Sequence, residues 1–203
     1  MRAGERVALI ARTVMATSLV WVAGIGVYLL RPDAPVEKTA IYRGQGLLEA
    51  APPAIPRDGA LVIPVSGIRA DQLVDTFSQA RDGGVRPHDA IDIMAPEGTP
   101  VIAAAPGRVE KLFFSNTGGN TVYVRTGDGR WIDYYAHMQS YAPGLAEGQT
   151  VREGQVIGTV GATGNADPAT PHLHFAIFSA GPGAVWSQPG PAVNPYPLLT
   201  TRR

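Results

Sequence analysis

From Leu61 onward the chain is a succession of short runs rich in Val, Ile, Tyr and Phe, each bounded by Gly, Pro, Asn or Asp. LVIPV (61–65) is followed by AIDIM (90–94), VIAAA (101–105), GRVEKLFF (107–114), TVYVRT (121–126), WIDYYAHM (131–138), QVIGTV (155–160) and HLHFAIF (172–178). Runs of this length, rich in β-branched and aromatic residues and ended by turn residues, read as strands. RTGDGRW (125–131) carries the Asp-Gly of a tight hairpin. The best helical candidate, RADQLVDTFSQ (69–79), is short, and no long-period repeat is present. The expected fold class is mainly β, built as an antiparallel sheet.

Composition supports that reading. The 24 glycines and 18 prolines supply turns, and 45% hydrophobic residues are enough for a packed core. Lys plus Arg equals Asp plus Glu at 17 each, so the chain lacks the basic footprint of a nucleic-acid binder. With no cysteine, disulfides, iron–sulfur clusters and thiolate zinc sites are excluded.

Residues 13–30 (TVMATSLVWVAGIGVYLL) contain no charge, with Arg2, Arg6 and Arg12 before them and Arg31 and Asp33 after. A helix needs about 20 apolar residues to span a bilayer, whereas the apolar part of a cleaved signal is usually about 7–15. The stretch reads as a transmembrane signal-anchor helix, with a cleaved signal peptide as the other reading. The arginines keep residues 1–12 cytoplasmic and send the rest outward. The expected location is therefore the cell envelope. The chain is either anchored in the inner membrane with its domain in the periplasm, or secreted if the segment is cleaved. Residues 31–60 are proline-rich and read as a linker. The folded domain is expected over 61–197, with 198–203 as a C-terminal tail.

The chain has four histidines, His88, His137, His172 and His174, and every one falls in or beside a strand-like run. Residues two apart on a strand face the same way, so HLH sets His172 and His174 on one side of a sheet. Neutral imidazole is the commonest metal ligand. HDAID adds His88 and Asp92, which a straight strand would hold roughly 13 Å apart. Shared coordination requires both atoms about 2 Å from one ion. The chain must therefore bend there, and Gly83, Gly84 and Pro87 place His88 on a loop leading into the strand of Asp92. Two histidines on one strand face are costly to bury without partners.

HDAIDI (88–93), YYAHM (134–138) and PHLHF (171–175), in this order, resemble the three motifs of the lysostaphin-like, or LytM-type, zinc metallopeptidases. GTPVIAAAPGRV, GGNTVYV and EGQTVREGQVIGTVGATGN agree, and the resemblance covers about residues 61–197. It implies a LytM domain of the duplicated-hybrid-motif type following the transmembrane helix. It also implies a zinc endopeptidase that cuts peptide bonds in peptidoglycan crosslinks during cell-wall remodelling. Carried over residue by residue, His88, Asp92 and His174 resemble the ligands of one zinc ion. His137 and His172 resemble the two catalytic histidines that do not bind the metal, and the sequence leaves open which of them is the base. Three protein ligands leave a fourth position for water.

The chain departs from the family pattern in two places. Ala90 stands where the first motif often has Gly, and no Tyr lies between Gly67 and His88, so that either Tyr134 or Tyr135 assists instead or no Tyr does. GTVGATG (158–164) lacks the Lys of a phosphate loop, no G-x-S-x-G elbow occurs, and Arg81 and Asp82 read as loop charges that could line a groove. The alternative function is a non-catalytic envelope module that binds peptidoglycan or activates another hydrolase, with an envelope protein as partner.

Overall fold

A computed structural model describes residues 61–201 except residue 182; the segments expected at 1–12, 13–30 and 31–60 lie outside the described residues. A 3-10 turn, Ala70–Gln72, is followed by β1 (Ala80–Arg81), β2 (Arg86–Pro87), β3 (Ile91–Met94), β4 (Pro100–Ile102), β5 (Gly107–Ser115) and β6 (Gly119–Thr126). Then come β7 (Trp131–Tyr141), β8 (Thr150–Val151), β9 (Val156–Val160), β10 (His172–Ser179), β11 (Ala192–Val193) and a short helix, α1 (Tyr196–Thr200). Among the described residues no helix is long and apolar enough to cross a membrane.

All the pairings between these strands are antiparallel. One sheet runs in the order β11-β10-β7-β6-β5-β8, β3 adds to β10, and β9 joins β7 to β4. β1 and β2 form a separate two-stranded ribbon. The expected hairpin joins β6 to β7, with Gly129 in the left-handed conformation that its Asp-Gly turn requires.

β7 is the hinge of this arrangement. Residues 131–136 pair with β10, and from Met138 onward the same strand pairs with β9. The sheet therefore divides at His137. Alternation along β10 buries Leu173, Phe175 and Ile177 in the core and turns His172 and His174 to the other face. Ile91, Ile93, Val101, Val109, Val122, Tyr135, Met138 and Ile157 complete that core with almost no exposure.

Three segments differ from the reading of the sequence. LVIPV is not a continuous strand: Val65 makes an isolated bridge to Val101, and the Pro64 carbonyl accepts from Ile102. Pro64 has no N–H to carry a ladder onward. The helical candidate at 69–79 shrinks to the turn at Ala70–Gln72. Its later carbonyls are engaged elsewhere, that of Thr76 by His88 and that of Phe77 by Asp89. At the other end, α1 crosses the 197/198 boundary, buries Leu199, and its Leu198 carbonyl accepts from the Leu61 N–H.

Phe175 is fully buried, with its ring 5.2 Å from that of Tyr135. Phe175→Ala is expected to destabilise the fold by about 3–5 kcal/mol, the range for emptying a packed aromatic site. Urea unfolding monitored by circular dichroism measures it, and a loss below about 1 kcal/mol would show that the site collapses around the smaller side chain.

Candidate metal centre

The centre is assembled from two paired strands and the loop entering one of them. In the β3–β10 register Asp92 stands directly opposite His174. His88 precedes β3, and the bend that brings it back toward Asp92 occurs at Asp89, whose φ is +59°. His88 Nε2 lies 3.0 Å from His174 Nδ1 and 3.1 Å from Asp92 Oδ1. His174 Nδ1 lies 3.2 Å from the same oxygen. These are the residues whose ligand atoms converge closely enough to hold one metal ion. A point about 2 Å from all three atoms lies just above their triangle, and about 2 Å is the length of zinc bonds to imidazole nitrogen and carboxylate oxygen.

His137 and His172 stand beside the triangle. Their rings are 5.1 Å apart, and the His137 ring is 5.5 Å from that of His174. His172 Nε2 lies 3.7 Å from Asp92 Oδ1. All five residues line a cleft of about 340 Å³, together with Arg81, Arg86, Met94 and the 165–170 loop. A larger cleft of about 440 Å³ is lined by Arg108, Glu110 and Arg125 and contains none of these five residues. Its central charges, Glu110 and Arg125, are already paired with each other.

Three of the imidazoles are held in the same way. His88 Nδ1 donates to the Thr76 carbonyl at 3.0 Å, His137 Nδ1 to that of Thr163 at 2.8 Å, and His172 Nδ1 to that of Thr170 at 2.8 Å. A carbonyl only accepts, so each bond places the proton on Nδ1 and leaves a lone pair on Nε2. His174 is the exception and presents Nδ1 to the triangle.

Asp89 and His137 are the non-glycine residues with positive φ among those described, at +59° and +60°. Such conformations cost energy and collect at functional sites. His137 is held there by its neighbours: its N–H donates to the Gly118 carbonyl, and Thr163 binds both its ring and the Met138 carbonyl. Gly119 adopts φ +64° against Thr163, and a Cβ there would collide with that residue.

Burial opposes charge on Asp92, but the imidazoles of His174 and His88 outweigh it and hold the carboxyl well below the usual carboxylate range. Burial also lowers the pKa of His174, against the pull of Asp92. For His137, burial brings the pKa down to about 4, opposed by the Thr163 carbonyl. Carboxylates bind metal in the ionised form and imidazoles in the neutral form, the directions in which Asp92 and His174 are shifted.

The two tyrosines separate clearly. Tyr135 lies in the core, where its hydroxyl accepts from the Ala104 N–H. Tyr134 is on the side of the cleft, its ring 6.0 Å from that of His174. Burial, with Tyr123 beside it, raises its pKa, so it stays a neutral phenol. Arg81 is the residue whose place the sequence did not disclose. Far from being a solvated loop charge, it sits on Asp92, with Nη2 2.5 Å from Oδ2. Thr76 is a second: its Oγ1 accepts from the Asp92 N–H at 3.0 Å while its carbonyl holds His88.

Two imidazoles and a carboxylate on an antiparallel sheet, flanked by two more imidazoles, form a group that could hold one metal ion. Residues 86–186 match Peptidase family M23, and the chain belongs to this family. The L-Ala–D-Glu endopeptidase of Bacillus subtilis is 36% identical over 130 residues, covering 61% of this chain and 38% of that protein. Peptidoglycan DD-endopeptidase ShyC of Vibrio cholerae is 38% identical over 99 residues, covering 49% and 22%. The crystallised catalytic domain of the antimicrobial peptidase lysostaphin from Staphylococcus simulans has a TM-score of 0.53 and 29% identity, covering 64% of this chain and 92% of that domain. The chain spans less than half the length of either curated relative.

The centre is expected to take up one divalent ion per chain, measured by plasma mass spectrometry after desalting. Alanine at His88, Asp92 or His174 should abolish stoichiometric uptake. Alanine at His137 should leave it intact, and loss of the ion in that variant would place His137 among the ligands.

Proposed function

We propose that the chain is a zinc-dependent endopeptidase that hydrolyses peptide bonds in peptidoglycan crosslinks. The observation that carries the reading is the convergence of His88, Asp92 and His174 on one point, with His137 and His172 on its rim. Two histidines and a carboxylate suit zinc and also ferrous iron. Membership of a peptidase family supports zinc, and the endopeptidase names of its relatives support a peptide substrate in the cell wall.

His88 Nε2, His174 Nδ1 and Asp92 Oδ1 would hold the ion. Bound there, zinc supplies Lewis acidity toward a carbonyl oxygen and toward water. The other work falls to the chain's own groups. His137 and His172 each offer an Nε2 lone pair to the cleft, since their Nδ1 protons are engaged by carbonyls. One of these nitrogens takes a proton from the attacking water, and a protonated imidazole returns it to the leaving amine. His172 Nε2 lies 3.7 Å from Asp92 Oδ1, beside the point where the ligand atoms converge. His137 is positioned rather than mobile: the Thr163 contacts and its left-handed backbone fix where its ring points. The open cleft admits an extended peptide from solvent.

The N-terminal sequence supports a location outside the cytoplasm. Residues 13–30 would either anchor the chain in the membrane, with Arg2, Arg6 and Arg12 on the cytoplasmic side, or be cleaved as a signal that releases it. The catalytic part then works in the cell envelope, outside the cytoplasm, where its substrate lies.

The test is to incubate the zinc-loaded protein with crosslinked peptidoglycan and identify soluble fragments by mass spectrometry. New peptide termini that disappear with a chelator and return with zinc are the expected result. Zinc bound without any cleavage would instead favour a binding or activating module.

The two neighbours in HLH should also separate. His174→Ala is expected to lose both zinc and cleavage. His172→Ala should keep zinc and lose about 100- to 10,000-fold in rate, the usual contribution of a proton-transfer group. Cleavage by His172→Ala at the wild-type rate would remove His172 from the chemistry.

A further inference from the structure

We infer that Arg81 is a positioning residue of the metal centre, whose guanidinium turns the Asp92 carboxylate so that one oxygen alone faces the ion. The inference rests on the reading of His88, Asp92 and His174 as ligands. The two oxygens of Asp92 are divided between different partners. Oδ2 lies 2.5 Å from Arg81 Nη2, whereas Oδ1 lies 3.1 Å from His88 Nε2 and 3.2 Å from His174 Nδ1. The backbone of the same residue is held separately, by its N–H on Thr76 Oγ1 at 3.0 Å. Thr76 therefore sets where Asp92 sits, and Arg81 sets how its carboxylate is rotated.

Three features make this contact more than a surface ion pair. It is partly shielded, with 33% and 18% of the two side chains exposed, so solvent screens it less than a fully open pair. It joins separate elements. Arg81 belongs to β1 of the small ribbon, Asp92 belongs to β3 of the main sheet, and the ribbon's return strand β2 runs directly into His88. One contact thus ties the approach of one ligand to the orientation of another. It also engages the oxygen that a carboxylate could otherwise turn to the ion. Carboxylates bind metals through one oxygen or two. A second oxygen on the ion would occupy space that water and substrate need in a site with three protein ligands. Outer partners of ligating groups typically contribute about 10- to 100-fold in metal affinity or activity.

The test compares Arg81→Gln, Arg81→Met and Arg81→Lys with the wild-type full chain. Zinc affinity is measured by competition with a chromophoric chelator. The visible spectrum of the cobalt-loaded protein is recorded as well, because its intensity falls when a tetrahedral site gains a ligand. The neutral variants are expected to bind zinc about 10- to 100-fold more weakly and to give a weaker cobalt band. Arg81→Lys should recover part of the affinity, since it restores charge without the planar fork. Arg152→Gln removes an exposed charge elsewhere and should change neither reading.

Near-UV circular dichroism identifies which variants are folded. Wild-type zinc affinity and cobalt spectrum in either folded neutral variant would overturn the inference. A wild-type chain that binds no metal would overturn it together with the ligand set. Tight zinc binding without cleavage of peptidoglycan would count against the proposed substrate alone and leave the Arg81 comparison standing.

Discussion

The pairing of β3 with β10, in the register that sets Asp92 opposite His174, is the constraint on which the rest depends. Side chains alternate across a strand, so a slip of one residue would carry His172 and His174 into the core and bring Leu173 and Phe175 to the surface. That exchange would expose two fully buried apolar side chains and bury two imidazoles away from their partners. The hydrophobic core and the cluster of His88, Asp92 and His174 therefore enforce the same register. Stability on one face of β10 specifies chemistry on the other.

The second constraint is the division of the sheet at His137. Up to Ala136, β7 lies against β10; from Met138 it lies against β9. A strand cannot change neighbours along one edge without some break in its twist or pleat. Here the break is a left-handed residue, with register irregularities on both sides. The loops at 115–119 and 161–165 close over it through the Asn165 N–H to Thr117, the Thr163 N–H to His137 and the Asn120 N–H to Thr163. The place where the sheet opens is thus also the place where an imidazole is held rigidly, and the cleft begins there.

This explains what the sequence could and could not disclose. Strand-length runs between turn residues were enough to read an antiparallel β fold, because alternation and turn chemistry are local properties. HLH revealed a shared face for the same reason. The need for a bend between His88 and Asp92 followed from strand geometry, and Asp89 supplies it. Arg81 was opaque, because an arginine in a Gly-rich loop looks solvated until the fold places a carboxylate against it. Thr76 was opaque for a related reason. Its carbonyl and hydroxyl serve residues 12 and 16 positions away, and those long-range bonds also prevent the helix that local propensity favours at 69–79. The strain at His137 depends on sheet topology, which no short motif encodes.

The different surroundings of the two histidines of HLH follow from the same topology. At position 174 both edges of β10 are paired, to Asp92 on one side and to Ala136 on the other. Its imidazole therefore rises from the closed middle of the sheet, with the carboxylate beside it. At position 172, β10 has moved beyond the end of its pairing with β7. It is paired with Met94 of β3 and bridged to Gly161. Its ring is oriented from its own loop, through the Thr170 carbonyl, at the rim of the cleft. Moving two residues along one strand changes which elements hold the ring, so the spacing that puts both imidazoles on one face still gives each its own set of partners.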